Sequence, residues 1–208
     1  SCYGMQTKFP TPEDTSIDLQ FPYALTKYLA EKMIFHWESV YKIPALSLRL
    51  FNVFGPRSST SGTYGAVFGV FLAQKLAGKP FTVVGDGEQS RDFVFVSDVV
   101  NAFKLAAESD YSGFAMNVGT GNPQSINTIV KLLKHDSVSI PKRPGEASKT
   151  CADTRLIKDK LNWSPKISFE EGVYIVLENI NLWNEATIWN PDSIADETKA
   201  WFEYLGKE

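Results

Sequence analysis

Residues 45–57 read Ala-Leu-Ser-Leu-Arg-Leu-Phe-Asn-Val-Phe-Gly-Pro-Arg. The run from Ala45 to Phe51 is short and mostly apolar, which is typical of a buried strand. Gly55-Pro56 ends the pattern, because glycine and proline interrupt regular structure. The segment therefore predicts one strand of an interior sheet, followed at once by a loop.

The segments on either side of this strand predict helices. Upstream, apolar residues recur at helical spacing from Tyr23 to Val40, and Pro22 stands where the first turn of a helix tolerates proline. Downstream, Val67 to Leu76 forms a second apolar helix, which Gly78 and Pro80 close. A strand between two helices is the first sign of an α/β arrangement.

Strands and helices continue to alternate further along the chain, which predicts an α/β protein with a mainly parallel sheet. We expect Ser97 or Asp98 to cap a helix that runs to Ala107, and Ser125 to open a helix that runs to Leu133. The remaining predicted strands are 81–84, 92–96 and 115–118.

Composition narrows the possible partners. A net charge of −3 and a pI near 5.5 argue against nucleic acid or an anionic membrane as a partner. No apolar run approaches the roughly 20 residues of a membrane helix, and the first residues do not resemble a signal peptide. Two distant cysteines and two histidines offer too few ligands for a zinc site. We expect a cytoplasmic protein without a metal.

Tyr23 and Lys27 are the residues most suited to chemistry. Four positions apart on a helix, they lie on the same face. Tyrosine is a poor base at neutral pH, but a nearby cation favours the phenolate. Such a pair could take a proton from the hydroxyl group of a substrate. By itself the pair is usually a half-exposed aromatic beside a solvated charge, so its surroundings decide its meaning.

These surroundings are recognisable. In order along the chain, they resemble the extended short-chain dehydrogenase/reductase family and, within it, the NAD-dependent nucleotide-sugar epimerases and dehydratases. The resemblance extends to about Leu177. The matching motifs are Tyr3-Gly4, Tyr23-x-x-x-Lys27, Leu48 to Arg57, Gly85 to Val96, Arg143-Pro144-Gly145-Glu146, Ala152-Asp153-Thr154 and Leu161 to Lys166.

The resemblance implies the C-terminal half of a Rossmann-type doubly wound parallel sheet plus a smaller α/β substrate-binding domain. The family's Gly-rich G-x-x-G-x-x-G turn and its serine or threonine four residues before Tyr3 are not in this sequence. We therefore expect the chain by itself to be inactive. The expected domains are 1–57 with 91–122 for the dinucleotide, 58–90 with 123–182 for the substrate, and an aromatic-rich extension at 183–208.

The resemblance also assigns the cofactor and the residues that contact it. The cofactor is expected to be NAD. Tyr23 and Lys27 would be catalytic, and both would also contact the cofactor together with Phe51 and Val53.

Substrate-binding roles follow from the same motifs. Arg91 and Arg143 are expected to hold the substrate diphosphate, which suits the bidentate geometry of guanidinium. Asn52 would hydrogen-bond the sugar nucleotide, Glu146 a ribose hydroxyl, and Thr150 would border the sugar C2 substituent. The nucleoside base would lie near Val67, Phe81 and Val83, for which plain core packing is a comparable alternative.

The expected reaction is epimerisation of a nucleotide sugar at C4 through a transient 4-keto sugar. Ser1 stands where the dehydratase and decarboxylase branches commonly carry an acid, which favours an epimerase. The small Thr150 predicts that an N-acetylhexosamine fits. A dTDP- or GDP-sugar 4,6-dehydratase and a non-catalytic sugar-nucleotide-binding remnant remain as alternatives. A homodimer is expected through the helix that carries Phe35 and Trp37.

Overall fold

The computed structural model describes residues 2–19, 22–58 and 66–206, and these residues form two compact units. The first unit comprises Ser1–Val53, Arg91–Pro123 and Lys149–Ile167, and the second comprises Phe54–Ser90, Gln124–Ser148 and Ser168–Glu208. Residues 149–167 thus belong with the first unit, whereas the expected substrate domain includes them. The assignment of the domains to dinucleotide and substrate stays a prediction.

Along the described residues, helices alternate with one to three strands as far as residue 140, and the elements after it are helical. The helices are α1 (Pro22–Tyr41), α2 (Val67–Leu76), α3 (Val96–Ala107), α4 (Ile126–Leu133), α5 (Arg155–Leu161), α6 (Phe169–Glu178) and α7 (Pro191–Leu205), with a 3-10 turn at Ile180–Trp183. The strands are β1 (Ser47–Leu50), β2 (Asn52–Phe54), β3 (Phe81–Val84), β4 (Ser90–Arg91), β5 (Phe93–Phe95), β6 (Ala115–Val118), β7 (Gln124–Ser125) and β8 (Ser137–Ile140). Among the helices of the described part, none has the length and apolar character needed to cross a membrane.

A parallel strand pair organises the first unit. β1 pairs with β6 from Ser47 opposite Ala115 to Leu50 opposite Val118. Every residue of β6 is buried, as expected for a parallel strand covered on both faces. This pairing confirms the predicted α/β class. The core around β6 consists of Val94, Val99, Ala102, Met116, Val118, Ile157, Leu161 and Trp163.

The second unit is built on another parallel pair, in which β3 runs beside β8. The ring of Phe71 on α2 stacks on Phe81 of β3, with 4.5 Å between the ring centroids. The buried Gln74 amide donates hydrogen bonds to Thr82 Oγ1 and Trp189 O. The Gln74 carbonyl oxygen accepts from Thr82 N, so both polar atoms of this amide have partners. Gln74 can therefore be buried while it links α2, β3 and the segment before α7.

The helix starts test the sequence predictions directly. Ser125 caps α4 as predicted, since its hydroxyl accepts from the backbone N–H of Thr128. The prediction that Ser97 or Asp98 caps α3 is wrong, because α3 begins at Val96 and Phe95 is its cap residue. The Asp98 carboxylate instead accepts from the backbone N–H groups of residues 166 and 167, each at 3.1 Å. It therefore anchors a loop from within the helix.

Candidate active site

Glu31 attaches α1 to β1. It and Ala24 are the buried residues of this helix. The Glu31 carboxylate accepts from Ser47 Oγ at 2.7 Å, and from Arg49 Nε at 2.9 Å and Nη2 at 2.7 Å. Burial alone would raise the pKa of Glu31, but the hydrogen bonds from Arg49 and Ser47 and the charge of Arg49 lower it below its usual value. Because two hydrogen bonds come from one guanidinium, the Glu31 carboxylate, and with it this part of α1, is held at a defined position beside β1.

Arg49 extends this link to the start of the chain and to β6. Its guanidinium carbon lies 4.8 Å from the centroid of the Tyr3 ring, and its Nη1 donates to the backbone oxygen of Glu13 at 3.0 Å. The Tyr3 hydroxyl donates to Asn117 Oδ1 on β6. Burial raises the pKa of Tyr3 to about 12, so this phenol stays protonated. Tyr3 is therefore a structural phenol and is unsuited to act as a base.

Lys27 lies about one turn before Glu31 along α1, and Tyr23 about two turns before it. The Lys27 ammonium is 5.2 Å from the centroid of the Tyr23 ring. Tyr23 is 62% exposed within the described residues, so its hydroxyl is available to a ligand. A second pair on the same helix, Tyr28 and Lys32, has nearly the same geometry at 5.0 Å. Geometry within the pair therefore does not single out Tyr23, and the family motif is what does.

The carboxyl end of β1 carries the next group of predicted site residues. The backbone N–H of Phe51 donates to Val118 O, and that of Asn52 donates to Asp92 O, both at 2.9 Å. Asn52 and Val53 are exposed. In open parallel sheets, ligands bind at the carboxyl ends of the strands, where these residues lie.

Thr150 and Asn52 are brought together. The Thr150 hydroxyl accepts from the backbone N–H of Asp92 at 3.1 Å and points its own proton towards Asn52 Oδ1 at 3.4 Å. Two of the predicted substrate residues, 98 positions apart in sequence, thus lie beside each other. Their proximity was not evident from the sequence.

Asp92 joins three segments of the first unit and was missed by sequence reasoning. Its fully buried carboxylate accepts from Thr120 N at 2.7 Å, Thr120 Oγ1 at 2.6 Å, Gly121 N at 2.9 Å and Ala152 N at 2.8 Å. Gly119 allows this close approach, because a Cβ atom there would lie 2.6 Å from the Ala152 side chain. The segment 119–121, which follows β6, is thereby fixed to Asp92 between β4 and β5.

The other predicted substrate residues lie on the second unit, apart from Arg91 in β4, which is partly buried. Arg143 Nε lies 3.2 Å from Glu146 Oε2, so these two predicted ligands contact each other. Phe81 and Val83 belong to the core of this unit, at 0% and 6% exposure. Val67 is half-buried at the start of α2. Contact of these three residues with a nucleoside base stays a prediction, as do the other site assignments.

A family model described as GDP-mannose 4,6 dehydratase matches residues 1–176. The chain belongs to the extended short-chain dehydrogenase/reductase family of nucleotide-sugar epimerases and dehydratases. This confirms the resemblance drawn from the motifs.

Similar proteins include a putative UDP-glucose 4-epimerase of Methanocaldococcus jannaschii, which is 32% identical to this chain. The aligned region covers 82% of this chain and 57% of that relative. A solved UDP-glucose 4-epimerase of Thermotoga maritima with UDP-glucose is 36% identical, with a TM-score of 0.81 over 86% of this chain and 60% of that one. UDP-glucuronic acid 4-epimerase of Bacillus cereus, solved with UDP-glucuronic acid and NAD, is 28% identical, with a TM-score of 0.77 over 87% of this chain and 59% of that one. This chain therefore spans little more than half the length of the curated relatives it matches.

The residues present fit the nicotinamide end of NAD. An exposed phenol and ammonium on α1 offer hydrogen bonds to a ribose, and the exposed Val53 lies in β2, just beyond the carboxyl end of β1. The chain contains no G-x-x-G-x-x-G turn for the pyrophosphate. Ser1, on which the preference for an epimerase partly depends, lies outside the described residues.

Proposed function

We propose that the protein encoded by the complete open reading frame, called here the complete protein, is an NAD-dependent 4-epimerase of UDP-sugars. The observation that carries this proposal is the family motif Tyr23-x-x-x-Lys27, whose two side chains are exposed on a helix that Glu31 fixes to β1. The carboxyl end of β1 leads to Asn52. Solved structures similar to this chain are described as UDP-glucose and UDP-glucuronic acid 4-epimerases, which supports an epimerase over a 4,6-dehydratase.

In this mechanism Tyr23 handles the proton. Its phenolate takes the proton of the sugar 4-hydroxyl, and the phenol returns a proton to the 4-keto oxygen after the sugar has turned. Lys27 would stabilise the phenolate and, with NAD bound, would hold the nicotinamide ribose. Bound NAD supplies the hydride acceptor and donor. The phenol can work in both directions because proton uptake and return occur at the same sugar oxygen.

The remaining residues would hold the nucleotide so that only the sugar moves. On the first unit, Arg91 would contact the diphosphate and Asn52 the sugar nucleotide. On the second unit, Arg143 would contact the diphosphate and Glu146 a ribose hydroxyl. Glu146 is now paired with Arg143, so diphosphate binding would draw the guanidinium from the carboxylate and leave the latter available to the ribose. The nucleoside base would be bordered by Val67, Phe81 and Val83.

The proposal is tested by incubating the complete protein with a panel of UDP-, dTDP- and GDP-sugars and analysing the products by NMR. We expect the C4 epimer of a UDP-sugar with unchanged mass. A product that has lost water would favour the dehydratase. Binding of a nucleotide sugar without turnover, with NAD present, would favour the non-catalytic alternative. If no nucleotide sugar binds or turns over, the proposal fails.

Replacing Thr150 with tyrosine is expected to abolish turnover of UDP-N-acetylglucosamine and to spare UDP-glucose. The larger side chain would fill the space beside Asn52 in which the C2 substituent would lie. The kcat/KM values for the two substrates are compared in the complete protein. Thr150→Ser is the matched control, since it keeps the hydroxyl that accepts from Asp92 N. An equal loss for both sugars would contradict the assignment.

We also propose that the complete protein forms a homodimer through α1. This helix exposes Trp37 at 53% and Met33 at 62% within the described residues. Such large apolar side chains are common in subunit contacts. The oligomeric state is measured by light scattering on the wild type and on Trp37→Glu, which is expected to shift the protein towards the monomer.

A further inference from the structure

Trp201 on α7 contacts the loop that carries Arg143. The indole Nε1 donates to the backbone oxygen of Pro144 at 2.9 Å, and the Arg143 guanidinium carbon lies 5.7 Å from the centroid of the Trp201 ring. The helix lies beyond residues 1–176, which the family model matches. We propose that Trp201 positions Arg143 for the substrate diphosphate, which makes α7 part of the substrate-binding apparatus. This inference rests on the proposed function.

The loop needs such support because it lacks regular structure. Residues 141–147 lie outside the helices and strands, and Gly145 adopts a left-handed conformation with φ of +71°. Pro144 has no backbone N–H with which to pair in a ladder. The indole therefore supplies a hydrogen bond from outside the loop. The end of α7 also approaches this proline closely, since a Cβ atom at Gly206 would lie 3.6 Å from Pro144 Cγ.

Glu146 and Trp201 have different electrostatic effects on the Arg143 guanidinium. The Glu146 carboxylate, whose Oε2 lies 3.2 Å from Arg143 Nε, carries a negative charge that competes with a diphosphate for the guanidinium. The indole attracts the cation through its π-face and carries no charge of its own. It can therefore hold the guanidinium in place without reducing its attraction for phosphate. An arginine held in its binding orientation loses less side-chain freedom when the ligand arrives.

The helix that presents Trp201 is itself fixed. Asn190 and Ser193 form a reciprocal capping box at its start. Ile194 packs in a buried cluster with Val84 and Ile140. Ile194 and Trp201 are seven residues apart, so they lie on the same face of the helix, and burial of the first directs the second towards the loop. α7 is thus anchored in the second unit and holds the indole at a defined position.

The test measures binding of UDP-glucose, UDP and uridine to the complete protein by calorimetry, together with the kinetics of turnover. Trp201→Leu is expected to raise the Kd for UDP-glucose and UDP about tenfold, or ~1.4 kcal/mol. KM should rise similarly, and kcat should change by less than about twofold, since the tryptophan is proposed to act in binding alone. Affinity for uridine, which has no phosphate, should not change. Trp201→Phe keeps a π-face but loses the Pro144 hydrogen bond and should give a smaller rise of about threefold.

Tyr204→Leu is the matched control, because it removes an aromatic ring that is 74% exposed on the same helix. It should bind all three ligands like the wild type. Wild-type affinity of Trp201→Leu for UDP-glucose would overturn the inference, as would an equal loss for UDP and uridine, which indicates a purely structural role. If Trp201→Leu fails to fold, the same three ligands are measured with Trp201→Phe. The inference is then overturned if Trp201→Phe binds UDP as tightly as the wild type does. Failure of the wild type to bind any of these nucleotides would instead remove the proposed function.

Discussion

Replacing Tyr23 with phenylalanine is expected to lower kcat for epimerisation at least ~100-fold in the complete protein, because general acid–base groups contribute about 10²–10⁴ to the rate. Phenylalanine keeps the ring beneath Lys27 but removes the hydroxyl that exchanges a proton with the sugar. Binding of the UDP-sugar should change little, since the diphosphate contacts are on other residues. Turnover is followed by NMR of the C4 epimers and binding by calorimetry.

Tyr28→Phe is a closely matched control for this substitution. Tyr28 lies on the same helix, and its ring is 5.0 Å from the ammonium of Lys32, as against 5.2 Å for the Tyr23 and Lys27 pair. Both substitutions remove one hydroxyl beside one cation. If the two variants lost kcat to the same extent, Tyr23 would have no special role in proton transfer. Wild-type kcat in Tyr23→Phe would exclude it as the base.

Replacing Glu31 with alanine should reduce the free energy of unfolding by about 3–5 kcal/mol, the usual cost of leaving one partner of a buried ion pair uncompensated. The Glu31 and Arg49 side chains are 6% and 10% exposed. The pKa of Glu31 is lowered in the fold, so its contribution is present above the pKa of an unfolded glutamate. The difference between wild type and variant should therefore shrink as the pH falls below about 4.3 and through the lower folded pKa. The difference in the free energy of unfolding is measured by urea denaturation of the wild-type and variant complete proteins at several pH values.

Glu108→Ala is the control for this prediction. Its partner, Lys104, is 3.9 Å away, and both side chains are more than half exposed, at 61% and 68%. Exposed pairs of this kind contribute less than about 1 kcal/mol. A destabilisation by Glu31→Ala no larger than that of Glu108→Ala, or one that did not depend on pH, would show that the buried pair does not hold α1 in place.

Local patterns in the sequence were sufficient to predict half of the sixteen helices and strands of the described residues. The predicted helix at Val67–Leu76 and the strands at Phe81–Val84 and Ala115–Val118 have the observed bounds. These elements are buried along their length or on one face, so the apolar pattern and the packing agree. Asp98 is an instructive error, because a cap depends on where the first turn begins, and a loop 68 residues away claims its carboxylate.

Contacts between distant residues could not be predicted. The helical spacing of the apolar residues in α1 predicts a helix but not its buried side, and Leu25, Leu29 and Met33 are 43–62% exposed within the described residues. The side of α1 that packs on β1 instead carries Glu31, which binds Arg49 of β1, 18 residues further along the chain. A carboxylate one turn beyond Lys27 could have suggested a partner on the next strand. The roles of the candidate site residues came from family motifs, since no physical property of the sequence distinguishes Tyr23 from Tyr28.

The junction at Asp92 determines how this scaffold could be re-engineered. Its carboxylate holds the turn at 120–121 and the segment at 152, and its backbone N–H holds Thr150. These segments are distant in sequence, but their hydrogen bonds to Asp92 join them into one structural unit. A loop graft meant to change sugar selectivity must therefore transplant residues 91–92, 119–121 and 150–152 together. A graft of any one of them would leave a fully buried carboxylate short of donors.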